Sequence, residues 1–423
     1  MRPEPERRAP DYDAIIVGGG PAGATAALGL VGGGLSILLL DKAVFPRDKP
    51  CGGGISMRLT ERFPHVREGL ESIPVHHVHK VHLQAPDGSS LMEERPDPLY
   101  LMIRRREFDA MLLRLATERG LEVLEGARVT RLKVAPGHAE VRTDRGDVLR
   151  AKLVIGADGV NSVVAKDAGL NPGWPQDSIA VDMMEETPYA SLQVRDKDAM
   201  YVFYGVGHMH GYGYVFPKAD HLNLGLGILI SDYKARANGT PYAGHLRFLD
   251  GLAKSGIVRG SSERGNFRGY RIPVGGALER TYADRVLLCG DAAGFVNAFT
   301  GEGIYFAMAS GEHAARAALG ALERGRFDAG ALAGYQRLWR DEFGRELEQS
   351  VTVQRILFED PGRINLIVRS ARENAALRAL LTDYATGRVD FRAAKRRLMA
   401  HFLPFYVRHK LGKWATRLRA AVR

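Results

Sequence analysis

Cysteine is almost missing from this 423-residue chain: Cys51 and Cys289 are the whole supply. Two thiols so far apart cannot staple a small domain, so a disulfide scaffold is excluded, and their scarcity fits a reducing compartment. Long apolar runs are missing too. No stretch reaches the ~18 residues that a spanning helix needs. Residues 1–12 are charged and Pro-rich with no apolar core of the signal-peptide kind, so a cytoplasmic chain, soluble or at most peripheral, is expected. No fixed repeat or low-complexity linker interrupts it. Gly-x-Ser-x-Gly, the Walker loop and His-Glu-x-x-His are all missing, which counts against hydrolase, NTPase and zinc-protease chemistry. With 45% hydrophobic and 26% charged residues, the length predicts two or three structural units with an ordinary core.

Glycine, by contrast, is abundant, 49 residues, and its first cluster carries a pattern. The apolar run Asp13 to Val17 leads into Gly18-Gly19-Gly20-Pro21-Ala22-Gly23 and then an Ala/Leu-rich stretch, which reads strand, tight turn, helix. Gly18 permits the turn, Gly20 removes the side chain that would block a pyrophosphate, and Gly23 lets the helix pack closely on the sheet. The free N–H groups and positive dipole end of the helix then face the phosphates. A second apolar strand, Leu35 to Leu40, closes at Asp41, near the ~20-residue spacing at which a carboxylate meets a ribose 2′-OH. An acid there disfavours a 2′-phosphate. These features predict one dinucleotide site, for FAD or NAD, and no second copy of the fingerprint follows.

Two later segments repeat a strand-then-Gly-Asp pattern: Ile155-Gly-Ala-Asp158-Gly159-Val-Asn-Ser162 and Leu287-Leu-Cys-Gly290-Asp291-Ala-Ala-Gly294. Such a turn can place a carboxylate on a ribityl hydroxyl, with the Gly301-Glu302-Gly303-Ile304 helix start near the pyrophosphate or flavin pyrimidine. Together with the Gly-rich start, they resemble the single-component flavoprotein superfamily of para-hydroxybenzoate hydroxylase-like monooxygenases, flavin halogenases and geranylgeranyl reductases. Within it the sequence is most similar to the geranylgeranyl reductase branch. Pro50-Cys51-Gly52-Gly53 matches that branch's flavin-side loop, Arg105-Arg-Glu-Phe108-Asp109 its Arg-x-x-Phe-Asp element, and Tyr212-Gly-Tyr214-Val-Phe216-Pro217-Lys218 its aromatic-x-Trp-x-Phe-Pro-Lys signature, with Tyr214 in place of Trp. Two more departures are Ala165, where an Arg is common, and Ala298, where a Pro is usual.

The resemblance implies an α/β fold: a Rossmann-type FAD-binding domain (11–74, 100–165 and 280–325) interleaved with a mixed β-sheet substrate domain (75–99 and 166–279), plus a C-terminal helical region (326–423). It implies FAD as cofactor, contacted by Gly18, Gly20, Ala22, Gly23, Asp41, Lys42, Cys51, Gly52, Arg105, Val129, Asp158, Asp291, Gly303 and Ile304. It implies a substrate wall containing Tyr204, Tyr212, Tyr214, Phe216 and Pro217. The expected reaction is saturation of C=C bonds in a prenyl or lipid-linked chain by hydride from reduced flavin N5 plus a proton. Cys51 is the catalytic candidate and NAD(P)H, ferredoxin or free reduced flavin the electron donor. A flavin monooxygenase or halogenase on the same fold, and a non-catalytic flavin or lipid carrier, are the alternatives.

Tyr201, Phe203, Tyr204, Tyr212, Tyr214 and Phe216 are spaced closely enough on neighbouring strands to line an apolar tunnel. Cys289 ends a buried strand and reads as packing. His76, His77, His79 and His82 cluster, but alternation along a strand splits them between two faces and no carboxylate pair completes a ligand set, so no metal is expected. The net charge of +10 sits largely at the C-terminal end, where Asp390 is the sole acid after Val389. There Phe402, Leu403, Phe405, Tyr406, Leu411, Trp414 and Leu418 interleave with Arg408, Lys410, Lys413, Arg417 and Arg419. That pattern suits a basic amphipathic helix at an anionic membrane surface, or a solvated capping helix, better than nucleic acid.

Overall fold

The computed structural model describes residues 10–236 and 239–389, together with 396, 397 and 400. The basic segment 401–423, and with it the expected amphipathic helix, lies outside the described residues. Two large sheets organise the rest, and the chain passes between them repeatedly.

The first sheet has eight strands. Tyr12–Val17 is central, parallel to Val148–Gly156 on one side and Ile37–Leu40 on the other, with Glu122–Leu124 and Val286–Leu288 extending the parallel order. Such strands are covered on both faces and read as unbroken apolar runs, as Ala14 to Val17 and Ile37 to Leu40 do. The antiparallel hairpin Val129–Val134 and Ala139–Thr143 is hung on Val148–Gly156. Helix Pro21–Leu30 follows the central strand and packs along Ile304–Arg324. Only small residues permit so close an approach: a Cβ at Gly311 would lie 2.3 Å from the Ala22 carbonyl oxygen, and one at Gly29 2.7 Å from the Ala315 methyl.

The second sheet has seven strands in the order Phe267–Pro273, Ile179–Pro188, His221–Leu229, Gly211–Pro217, Ala199–Tyr204, Lys80–Gln84 and Ser90–Glu94. It is antiparallel except where Ala199–Tyr204 runs beside Lys80–Gln84. Its outer face packs on helix Pro241–Lys254 through Tyr201, Phe203, Val215, Leu226 and Phe248. Its inner face looks toward the first sheet. The six-aromatic tunnel therefore needs correcting. Side chains two apart share a face, so Tyr201 and Phe203 point outward, stacked at 6.4 Å and covered by the helix, while Tyr204 points inward with Met200 and Val202.

A small sheet of Gly54–Ser56, Tyr100–Met102 and His76–Val78 bridges the two. His79 follows that strand and binds Asp198 at 2.7 Å, His76 meets the Lys197 carbonyl at 2.6 Å, and His82 packs on Tyr201. Among the described residues no group of three His, Cys, Asp or Glu could hold a metal ion. From Ala329 to Ala385 the chain is helical with short breaks. Pro361 opens a new helix, capped by Asp360, and Asn374 caps Ala375–Ala385. These last two helices pack on Leu83, Leu91, Tyr204 and Phe299. No described helix is long and apolar enough to cross a membrane.

Candidate active site

A cavity of about 570 Å³ runs between the two sheets, from the Gly18 turn at one end to the inner aromatic face at the other. Its first end is shaped by backbone. Gly18 has φ +106°, and a Cβ there would lie 2.3 Å from the Ala157 carbonyl oxygen. Gly23 does not border the cavity. It sits beneath the turn, where a Cβ would lie 1.8 Å from the Gly18 oxygen, so it serves helix–strand packing. Gly20 faces open space with only the Arg47 guanidinium, at 3.8 Å, near its missing Cβ. Helix Pro21–Leu30 begins there with no side-chain cap and no acid in its first turn. Bare N–H groups at a helix start beside a side-chain-free face fit a pyrophosphate.

Asp41 and Lys42 border the same end with Ala127, Arg128 and Val129. Asp41 also shapes the turn: its carboxylate accepts from Gly19 N at 2.7 Å and Ala43 N at 2.8 Å. The two Gly-Asp turns differ. Asp158 accepts from Ser162 Oγ, Val163 N and Val164 N at 2.5, 2.7 and 3.2 Å, capping the short helix Val163–Asp167. Burial pushes its pKa up against those bonds. Asp291 borders the cavity with no donor to its carboxylate among the described residues, and Gly303 and Ile304 start helix Ile304–Arg324 beside it. Its oxygens are the ones free for a polyol.

The middle of the cavity is bounded by the loop Lys49 to Gly54. Two polar side chains pin it, and two more stand behind them. Lys218, buried, donates from Nζ to the Gly52 carbonyl, and Asn223 Nδ2 donates to the Cys51 carbonyl at 3.1 Å and to Glu186 at 2.9 Å. Glu186 in turn holds Arg104 at 2.8 Å. Gly53 has φ +65° and is wedged between Ile103 and Lys218, leaving no room for a side chain. Cys51 Sγ accepts from Gly53 N at 3.4 Å and faces the buried Arg105. Arg105 makes two 2.7 Å bonds to Asp109, which also takes Arg47 at 2.8 Å. The paired guanidiniums hold the Asp109 carboxyl below its usual range despite complete burial. Lys49 lies 3.2 Å over the Tyr270 ring, and burial, with Arg105 nearby, lowers its pKa to about 8.

The far wall is aromatic. Tyr204, Tyr212, Tyr214 and Phe216 border it with Met200, Val202 and Phe299. Pro217 is buried at the strand end and does not border the cavity. Tyr212 reaches across to donate to the Thr300 carbonyl at 2.7 Å, and Tyr100 to the Ala385 carbonyl at 2.6 Å. Thr382, Ala385 and Thr386 of the C-terminal helices close that end. Glu302 lines it too, bonded to Ser56 Oγ at 2.7 Å and to Arg58, whose other nitrogen holds Glu346 at 3.1 Å.

The FAD binding domain family model matches residues 11–350. A digeranylgeranylglycerophospholipid reductase from Methanothermobacter thermautotrophicus is 31% identical over 82% of this chain and 88% of its own length. The chain belongs to the geranylgeranyl reductase family of FAD-binding oxidoreductases. The structure of a geranylgeranyl bacteriochlorophyll reductase-like protein from Thermoplasma acidophilum superposes with TM-score 0.77, covering 92% of this chain and 99% of that one at 22% identity. A flavin-dependent brominase superposes with TM-score 0.70 over 96% and 99% at 18% identity. At these identities the two structures share the fold. As a family member, the chain has an FAD site that its own residues fit: the side-chain-free turn, the uncapped helix start and the unpartnered Asp291 carboxylate.

Sequence reasoning missed Asp182, Lys49, Asn223, Glu302 and the Arg47–Asp109 pair, all at the cavity or supporting it. Lys218, Asp109 and Glu302 were visible only as letters of motifs, with no role attached. The rest gave no signal, because isolated polar residues on strands look alike until the sheets are brought face to face.

Proposed function

We propose that this reductase saturates C=C bonds in a geranylgeranyl-type chain carried on a lipid. The observation that carries this reading is the continuity of one cavity from the nucleotide turn to the aromatic wall. In the proposal, segments 11–74, 100–165 and 280–325 form the cofactor half and 75–99 and 166–279 the substrate half. Reduced flavin supplies a hydride from N5 when bound. Gly18, Gly20, Ala22 and the following helix start hold the pyrophosphate. Asp41, Lys42 and Val129 flank the adenosine end, and Asp291, Arg105, Gly52, Gly303 and Ile304 the flavin end. Asp158 acts by fixing its turn. Tyr204, Tyr212, Tyr214 and Phe216 exclude water and guide an apolar chain, and Lys218 and Asn223 keep the Cys51 loop against that wall.

Cys51 is the candidate for orienting the reacting carbons or donating a proton, with its thiol facing Arg105. The Cys51→Ala variant, FAD still bound, is expected to lose turnover; an unchanged kcat removes Cys51 from the chemistry. Electrons arrive from a transient donor, NAD(P)H, ferredoxin or free reduced flavin, because the chain carries one fingerprint. A lipid-borne substrate also favours peripheral contact through the basic segment 401–423, which liposome flotation with and without it measures. The principal test is anaerobic incubation of dithionite-reduced protein with prenyl lipids. Mass increments of two hydrogens per double bond are expected; no increment on any prenyl lipid, or oxygenated product formed with O₂, overturns the reading.

A further inference from the structure

Strand Ile179–Pro188 carries two buried carboxyl groups three residues apart, on opposite faces of the second sheet, and they are treated in opposite ways. Glu185 faces outward and is fully partnered. It accepts from Thr187 Oγ1 at 2.6 Å, Ser262 Oγ at 2.5 Å and Glu263 N at 2.7 Å, and binds His245 at 2.8 Å. Those bonds hold its pKa down in spite of burial. Asp182 faces inward and lines the cavity. Among the described residues its one hydrogen-bond partner is the Tyr214 hydroxyl, at 3.1 and 3.2 Å. A structural carboxylate in so enclosed a place is expected to have a cation or several N–H donors. Asp182 has neither in bonding contact.

The floor is cut to bring these two together. Asp182 lies opposite Gly227, and Tyr214 opposite Gly225. A Cβ at Gly225 would come within 2.7 Å of the Tyr214 oxygen, so the ring crosses that strand only because nothing stands on it. At its other edge the Tyr214 ring lies 3.6 Å from the missing Cβ of Gly52, next to Cys51. One phenol thus reaches from the buried acid to the loop that bounds the middle of the cavity.

We propose that Asp182 and Tyr214 form a proton relay that serves the carbon left without a proton when an alkene in this cavity is reduced; this rests on the reductase reading above. The Tyr214 O–H proton goes to that carbon, while the other carbon takes hydride, supplied by reduced flavin. The Asp182 O–H proton moves to the Tyr214 oxygen, leaving a carboxylate that water reprotonates once product has gone. The balance is one hydride and one proton added across C=C. Burial supports this by raising the Asp182 pKa to about 6, against the lowering effects of the Tyr214 bond and Lys49, so the acid form persists far above the usual carboxylate range. The groups facing the pair are Lys49, Cys51, Tyr212 and Tyr270, the last directly across from Asp182 on Phe267–Pro273.

The test uses the full-length FAD-loaded protein and its Asp182→Asn and Tyr214→Phe variants. Infrared spectroscopy without substrate is expected to show a protonated-carboxyl band that disappears as pH rises through about 6. The band should be missing in Asp182→Asn and shifted in Tyr214→Phe. Anaerobic reoxidation of the reduced flavin by a prenyl lipid should slow in the wild type over the same rise in pH. Asp182→Asn should be slower by roughly 10²-fold or more below about pH 6, with the gap narrowing above it and no such pH step of its own, while FAD content and dithionite reduction stay normal. Tyr214→Phe, which keeps the acid, should also be slow. Absence of the titrating band, or wild-type rates in either variant, overturns the relay. A wild type that reduces no prenyl lipid but shows the band overturns the substrate reading instead.

Discussion

The two walls of the cavity are built from opposite materials. At the Gly18 turn the site is backbone: glycines that admit no side chain, a helix start with free N–H groups, and a carboxylate on Gly19 N. Across from it the site is side chain: Tyr204, Tyr212, Tyr214 and Phe216 projecting from antiparallel strands, with Asp182 against the Tyr214 hydroxyl. At Gly18 and Gly23 the backbone wall tolerates almost no change, because a Cβ there collides with peptide groups that cannot move aside. Substitutions in the side-chain wall are expected to change stability less and chemistry more. The family resemblance runs through both walls and the loop between them, and the departure at Tyr214 falls in the second.

Breaking the backbone wall should have the largest effect. Gly23→Val would put a side chain into the Gly18 carbonyl and is expected to cost about 3 kcal/mol or more, with loss of FAD. Thermal unfolding and flavin absorbance of the purified protein measure both. Next comes Asp109→Asn, which leaves the buried Arg105 and the neighbouring Arg47 without their shared counter-charge. A cost of roughly 3–5 kcal/mol is expected. Because its folded pKa is lowered, the Asp109 contribution is fully present above the ordinary carboxylate range and is lost as pH falls through the folded value. Acid unfolding should therefore steepen in the wild type and flatten in the variant.

Lys218→Met sharpens the comparison from the middle of the cavity. It strands the Gly52 carbonyl at a cost of about 1–3 kcal/mol. FAD should be retained while turnover drops, so equal loss of both would place Lys218 with the backbone wall. The smallest effect is expected for Tyr212→Phe, which removes one bond to the Thr300 carbonyl, worth about 1 kcal/mol in denaturant unfolding. Its consequence should show in substrate affinity.

The legible parts of the molecule are those in which a local rule sets the geometry. The strand–turn–helix at Gly18 to Gly23 could be read because the glycines, the helix start and the Asp41 spacing all lie within one stretch of chain. The face a side chain takes is not set by such a local rule. Tyr201 and Tyr204 belong to the same strand and the same residue type, yet one is outer core and the other cavity wall. Only the helix over the outer face decides which is which. Asp158 and Asp291 occupy similar motifs, but Ser162 and the following N–H groups engage the first and leave the second open.

By itself the sequence determined the dinucleotide turn, the family and the α/β class, since these depend on glycine placement and apolar runs that are local along the chain. Tertiary structure alone decided that Asp182 meets Tyr214, that Lys218 and Asn223 grip the Cys51 loop, and that Thr382 and Ala385 close the far end. Those contacts join residues far apart in sequence. What fixes them is the packing of one sheet against another, which strips water from a few polar groups and leaves each with the partner that geometry allows.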